Sequence, residues 1–311
     1  MTQDGRSLEP AGYGSGGYVQ SLAAYGTPVR LPRSGGWLLA AGVGDSGDRD
    51  AFGPYPLFAV EHPEHLAHDL AALKDDLVSV YAVSDPLREE QLEHFAAAFD
   101  FVRPYKPHYI VDLETAFDRY LRRHHRRYAR KALAQIDVVC VTDPAAYVAE
   151  WTSLYEELCV RHRITGLRRF SQSAFSAQLA VPGCRYFRAL HGSAVVGGFI
   201  CYLDRDRAYA HLISTTQQGQ DLLAPYALYW TAIESFRGSA RLLDLGGVPG
   251  GMDAAASGLS FFKSGWSTSI RRAMFCGRIL NEAAYERLCA ASPGGSGKHF
   301  PAYRSGILGA S

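Results

Sequence analysis

The chain has 311 residues, enough for two domains of ordinary size, and its 47% hydrophobic and 20% charged residues are the composition of a globular protein. A formal net charge of +1 excludes any global pull toward nucleic acid or membrane, so a polyanion site has to be a local patch. The six cysteines (Cys140, Cys159, Cys184, Cys201, Cys276 and Cys289) form no CxxC pair and fall largely in apolar runs, which points to reduced, buried thiols. The start lacks an apolar signal core and no run approaches the ~18 apolar residues of a membrane helix, so the expectation is a cytoplasmic protein with no membrane span.

In chain order, residues 1–17 are Gly- and Ser-rich and read as a mobile arm. Residues 18–112 have an α/β rhythm, with a short helix at Val19–Tyr25, a strand at Trp37–Ala41 and a helix at Glu64–Asp75. A strand at Leu77–Val83 and a helix at Glu89–Phe99 follow. The Gly- and Asp-rich segment 42–56 ends in a turn, Ala51-Phe52-Gly53-Pro54-Tyr55-Pro56. It suits a surface loop, or an acceptor-binding loop carrying Phe52 and Tyr55, since long loops in compact domains are often functional.

After a strand near Tyr109–Leu113, residues 113–135 read as a basic connecting helix. Arg119, Arg122, Arg123, Arg126, Arg127 and Arg130 step along it at helical spacing, opposite Phe117, Tyr120, Leu121, Tyr128 and Ala132. Seven basic residues and no acid lie between 119 and 131. The stripe is either a solvated face with some arginines paired to acids, or a phosphate-binding face suited to the planar guanidinium fork, with Arg126 and Arg130 as donor-binding candidates.

Residues 136–290 form the second α/β domain, followed by a tail at 291–311. A strand at Val138–Thr142, helices at Ala145–Arg163 and Ser171–Leu179, and strands at Arg185–His191, Ala194–Leu203 and Arg207–Ser214 are expected. A helix at Ala224–Arg237, a short strand at Arg241–Leu245 closed by Gly246-Gly247, a helix at Ser257–Gly265 and a strand at Ser267–Ile279 complete it. The order is β-αα-βββ-α-β-α-β, an α/β (α+β) fold with a mixed, mostly antiparallel sheet flanked by helices.

Three phrases, in this order, carry a resemblance: Tyr-Ala-Leu-Tyr-Trp-Thr-Ala-Ile at 226–233, Leu-Asp-Leu-Gly-Gly at 243–247, and Gly-Leu-Ser-Phe-Phe-Lys-Ser-Gly-Trp at 258–266. The chain resembles the GNAT-fold acyltransferases, in the branch of the FemAB peptidyltransferases and BioF2-like acetyltransferase domains, over roughly 112–288. The resemblance implies tandem GNAT-like halves, the first without donor binding. It also implies amide formation by direct attack of an acceptor amine on an activated acyl group, which needs close approach, a deprotonated amine and donors for the oxyanion.

On that basis His211, Ser214 and Asp244 are placed at the inner ends of the two strands expected to splay, and Lys263, in the Phe-Lys motif, near the donor's acyl linkage or phosphate. His211, Asp244 and Lys263 are the catalytic candidates, with Ser214 beside the donor. Residue type leaves bland alternatives: a structural histidine at 211, a turn anchor at 244, and a helix-capping lysine at 263. Trp266 would wall the acceptor or fill core.

Acetyl-CoA enzymes of this fold cradle the pyrophosphate on a Gly-rich loop before the long helix. Here that stretch reads Gln220-Asp221-Leu222-Leu223-Ala224-Pro225. Leucine replaces a glycine, proline supplies no N–H, and Asp221 adds a negative charge. Gln220, Leu223, Ala224 and Tyr226 are still the donor-binding positions by alignment.

Aminoacyl-tRNA is therefore the favoured donor, with a cell-wall precursor or small metabolite as amine acceptor. Acyl-CoA-dependent N-acetylation in polysaccharide or natural-product modification is the alternative, and a non-catalytic nucleotide- or RNA-binding module a third reading. No tightly bound cofactor is expected. No metal is expected either, because His124 and His125 are adjacent and so point to different sides of a helix, and His62-x-x-His65 finds no third ligand. Oligomeric state and acceptor identity are not legible.

Overall fold

The computed structural model describes residues 10–165, 169–248, 258–292 and 299–304. Their contacts divide the chain into two units: one holds the N-terminal residues to Ser21 with Pro107–Arg271, the other Leu22–Lys106 with Arg272 onward. In chain order the strands are β1 (Thr27–Arg30), β2 (Trp37–Gly42), β3 (Arg49–Phe52), β4 (Ser79–Val83), β5 (Phe101–Asp112), β6 (Asp137–Val141), β7 (Cys184–His191), β8 (Ala194–Asp204), β9 (Arg207–Thr215), β10 (Leu242–Asp244) and β11 (Ser269–Ile279). The helices are α1 (Gly16–Gln20), α2 (Leu66–Ala71), α3 (Leu92–Ala98), α4 (Phe117–Tyr120), α5 (Arg123–Leu133), α6 (Val148–His162), α7 (Gln172–Leu179), α8 (Gln217–Asp221), α9 (Ala224–Phe236), α10 (Gly258–Trp266) and α11 (Glu282–Ala291).

In the unit built on Pro107–Arg271, β6, β7, β8 and β9 form an antiparallel meander. β10 then joins β9 in parallel, pairing Leu242–Asp244 with Arg207–Tyr209, and the end of β5 runs antiparallel to β10. Strand alternation divides the side chains between two faces. Phe199 and Cys201 pack with Leu228, Tyr229 and Ala232 of α9, while Tyr202 meets Tyr13 and Tyr18 from the N-terminal segment. The expected α/β class and the mixed, mostly antiparallel sheet are both present.

The other unit pairs β1 with β2, β2 with β3 and β4 with β11 antiparallel, and β3 with β4 in parallel. Its core gathers Leu38, Phe58, Leu66, Leu70, Val80, Phe95 and Cys276.

Several local expectations change. Residues 1–9 of the expected arm lie outside the described residues, but Tyr13, Ser15 and Tyr18 are buried, because the short helices at 12–20 cover β8 and β9. The connecting helix is two helices, since Leu121 and Arg122 are extended between α4 and α5. Segment 42–56 is not one loop, as β3 occupies Arg49–Phe52 and puts Phe52 on a strand, stacked on Tyr81.

The division at 271/272 also differs from a catalytic domain ending at 290. β11 is one strand whose Phe275–Ile279 half pairs with β4, so the chain changes unit inside it. Part of the expected tail is anchored: Arg304 makes paired bonds of 2.6 and 2.7 Å to the fully buried Asp50 carboxylate, and the Tyr303 hydroxyl donates to the same group.

Candidate active site

β9 and β10 stay paired only through Tyr209 and Asp244, after which they part. At that point the chain turns through Gly246-Gly247, and the residues of interest meet there. Gly246 has φ +78°, a conformation that suits glycine, and a side chain on Gly247 would press on the Pro107 carbonyl at 3.1 Å and the His108 ring. Asp244 is buried and its two oxygens are divided: Oδ1 accepts the Gly246 N–H at 2.7 Å, and Oδ2 accepts His108 Nδ1–H at 2.7 Å. The turn anchor expected for Asp244 is present, and its second oxygen is taken by a histidine side chain.

Lys263 does not cap its own helix. Its ammonium reaches from α10 to the Gly247 carbonyl at 2.7 Å and lies 3.3 Å from where a Gly246 side chain would begin. Burial pushes the ammonium down to about 8, opposed by the Asp244 carboxylate. The structure therefore brings Lys263 and Asp244 together and adds His108, which sequence reasoning missed. The missed signal was β5, whose two prolines at 104 and 107 obscured a twelve-residue strand; prolines are tolerated where the ladder does not need their N–H.

α10 is itself held by a second unanticipated histidine. His125 is fully buried on α5 and its Nε2–H donates to the Phe262 carbonyl at 2.9 Å, with Gly265 directly beneath the ring. Burial pushes it down to about 4 and the Phe262 hydrogen bond opposes. His124 and His125 do not project to different sides as their adjacency suggested: their ring centroids are 4.2 Å apart.

His211 is elsewhere. It is the extra residue of a β-bulge, between the pairs Cys201–Ala210 and Ile200–Leu212. Tyr13 donates to its Nδ1 at 3.2 Å and its Nε2–H donates to Gln178 at 3.3 Å, among the rings of Tyr18, Phe170 and Tyr202. Burial pushes it down to about 3. With both nitrogens bonded it is a structural histidine. Ser214 is likewise committed, since its hydroxyl donates to the Leu154 carbonyl at 2.6 Å. Trp266 is fully buried core next to Tyr229 and Phe262 rather than an exposed wall. Tyr55 is 50% exposed and, like Phe52, belongs to the other unit.

The stretch before α9 is folded onto itself. Thr216 caps α8 by accepting the Gly219 N–H, and a side chain on Gly219 would collide with the Val196 carbonyl. The amides of Gln220, Leu222, Leu223 and Tyr226 donate to Thr216, Gln218, Gln220 and Leu223 carbonyls. Leu223 sits at φ +63°, Ala224 is buried, and the Tyr226 ring packs against His125 and Tyr128.

On α5, Arg126 is spent on the Phe117 carbonyl at 3.0 Å, whereas Arg123, Arg127, Arg130 and Lys131 are exposed. Among the described residues no carboxylate pairs with these four, or with Arg119 or Arg122; Arg122 lies over the 55% exposed Phe261 ring. Also among the described residues, no group of three or more His, Cys, Asp or Glu is placed to hold a metal, and no helix is long and apolar enough to cross a membrane.

Residues 117–264 match the family described as an acetyltransferase (GNAT) domain. No curated protein matches the chain by sequence. Among solved structures, FemX is similar at 14% identity and a TM-score of 0.64, covering 90% of this chain and 95% of that one. The C-terminal DUF2156 domain assigned to a lysylphosphatidylglycerol synthetase of Agrobacterium fabrum aligns at 13% identity and 0.60, covering 88% of each chain. L-PGS from Bacillus licheniformis aligns at 14% and 0.57, covering 88% and 94%. The match to the acetyltransferase (GNAT) domain covers 148 of the 311 residues, and the chain as a whole has a FemX-like fold.

Proposed function

We propose that the protein transfers an aminoacyl group from aminoacyl-tRNA to the primary amine of a small metabolite or cell-wall precursor, forming an amide. The carrying observation is the self-bonded stretch at 216–226. The amides of Gly219, Gln220, Leu222, Leu223 and Tyr226, which lie where a CoA pyrophosphate would be met, already have acceptors within the chain, Pro225 has no N–H to donate, and Asp221 would repel the phosphates. Arg123, Arg127, Arg130 and Lys131, which no carboxylate among the described residues pairs, supply positive charge suited to a longer phosphate backbone.

In this reading the acyl carbonyl lies at the mouth opened where β9 and β10 part. The Lys263 ammonium faces the charge that develops on the carbonyl oxygen, and Gly246-Gly247 lets backbone and substrate approach closely. A second reading, transfer from acetyl-CoA, is favoured by the description of the matching family as acetyltransferases.

The test is calorimetric titration with acetyl-CoA and, separately, a charged tRNA pool, at two salt concentrations. Product is followed by mass spectrometry with an equimolar mixture of amino acids, diamines and amino sugars as acceptors. Salt-sensitive tRNA binding, weakened when Arg123, Arg127 and Arg130 become alanine, together with aminoacyl amides as product, is expected. Micromolar, salt-tolerant acetyl-CoA binding with acetyl amides as product would overturn the tRNA donor in favour of the second reading.

A further inference from the structure

We propose that His108 is the general base of the transfer, with Asp244 as its positioning residue. The assignment rests on the acyl-transfer reading above and goes beyond it by naming the group that takes the proton from the acceptor amine.

A carboxylate only accepts hydrogen bonds, so the 2.7 Å contact with Asp244 Oδ2 puts the proton of neutral His108 on Nδ1 and leaves the lone pair on Nε2. Asp244 is in turn fixed, because its other oxygen accepts the Gly246 N–H. The imidazole is therefore held in one tautomer and one orientation by a buried carboxylate, the relation that makes a histidine an effective base in acyl transfer.

Nε2 points to the Gly246-Gly247 turn, where a side chain on Gly247 would approach it to 3.4 Å. The charged groups meeting at this turn are Asp244 from β10 and Lys263 from α10. Among the described residues His108 has no hydrogen-bond partner besides Asp244, which leaves Nε2 for a substrate in this assignment. The contrast with His211, both of whose nitrogens are bonded within the protein, separates the two histidines by chemistry.

In the reaction the nitrogen lone pair of the neutral amine attacks the acyl carbon, forming the C–N bond and moving the carbonyl π pair onto oxygen beside Lys263. His108 Nε2 takes one proton from the attacking nitrogen. The intermediate collapses, the C–O bond to the tRNA ribose breaks, and the departing oxygen takes that proton back from Nε2. One amide and one free hydroxyl result, and His108 and Lys263 end as they began.

The test compares wild type with His108→Asn and Asp244→Asn, using the donor and acceptor pair that wild type turns over. Asparagine at 108 places an amide N–H near the former Nδ1–H, so it preserves the bond to Asp244 while deleting Nε2. Expected are a fall in kcat/KM of about 100-fold or more in both variants, an acidic limb of the pH–rate profile that becomes shallower by one ionisation in His108→Asn (that of the amine alone remaining), and partial rescue of His108→Gly by added imidazole. A His108→Asn enzyme with near wild-type turnover and the same acidic limb would overturn the assignment while leaving acyl transfer intact. If the variants fail to fold, the wild-type profile decides alone: an acidic limb of kcat/KM with a single ionisation, that of the acceptor amine, overturns it too, and a second ionisation supports it. Inactivity of wild type with both charged tRNA and acetyl-CoA would instead remove the acyl-transfer reading itself.

Discussion

Replacing Lys263 by methionine removes the ammonium while keeping most of the stem. If the ammonium stabilises the oxyanion, its loss resembles deletion of one oxyanion-hole donor, about 2.7–4 kcal/mol or 10²–10³ in kcat. Stability should respond differently. The folded protein holds the Lys263 proton more weakly than the unfolded chain, since the value is pushed down from 10.5 to about 8. The buried charge therefore opposes folding below pH 8, and that opposition fades as pH rises from 8 through 10.5. Methionine removes this cost but forfeits the charged bond to Gly247, worth about 1.5–3 kcal/mol, so the two largely offset and the melting temperature should stay within about 4 °C of wild type.

The same value predicts a basic limb in the wild-type profile: activity halved at pH about 8 and falling about tenfold per unit above it, as the charged form is depleted. Initial rates from pH 6.5 to 9.5 and a thermal melt on both proteins are the assays. Turnover by Lys263→Met within about threefold of wild type, with an unchanged basic limb, would refute the electrostatic role.

Other consequences are structural. Arg304→Met should strand the buried Asp50 carboxylate and cost about 3–5 kcal/mol, read from the urea midpoint; a change under 1 kcal/mol would show that the C-terminal residues do not anchor their unit. Gly219→Ala should destabilise by about 1–3 kcal/mol or more, because the Val196 carbonyl occupies the space, and wild-type stability would contradict the self-bonded turn. His211 and His125 fold as neutral groups, pushed down to about 3 and about 4 from 6.5, so the unfolded chain binds more protons as pH falls below 6.5. Each should then remove at most about 1.4 kcal/mol per pH unit, down to those values. His211→Gln should flatten that slope between pH 6.5 and 5 in urea titrations while leaving turnover near wild type, and a large loss of turnover would return His211 to the active site.

Much of the Pro107–Arg271 unit was legible because local periodicity and tertiary environment agree there. The strands β7, β8 and β9, the helix α9 and the Lys263 motif all appear near their expected positions, since alternation and helical spacing directly report which face is buried. The bulge at 211 was not legible. One extra residue leaves composition unchanged but carries His211 into an aromatic cluster. The arginine stripe was legible as charge, but not that it loses Arg126 to a carbonyl or is broken at Leu121, because both depend on what packs beneath.

The deepest difference lies in long-range pairing. His108 and Asp244 are 136 residues apart and meet only because β5 pairs with β10, and β11 changes units within one strand. Spacing along a chain encodes which neighbours share a face of one element; which strand lies beside which is settled by the packing of the whole core. The sequence alone therefore determined the strands, the long helix and the Phe-Lys motif, and the tertiary structure decided which histidine and carboxylate meet beside Lys263 at the Gly246-Gly247 turn.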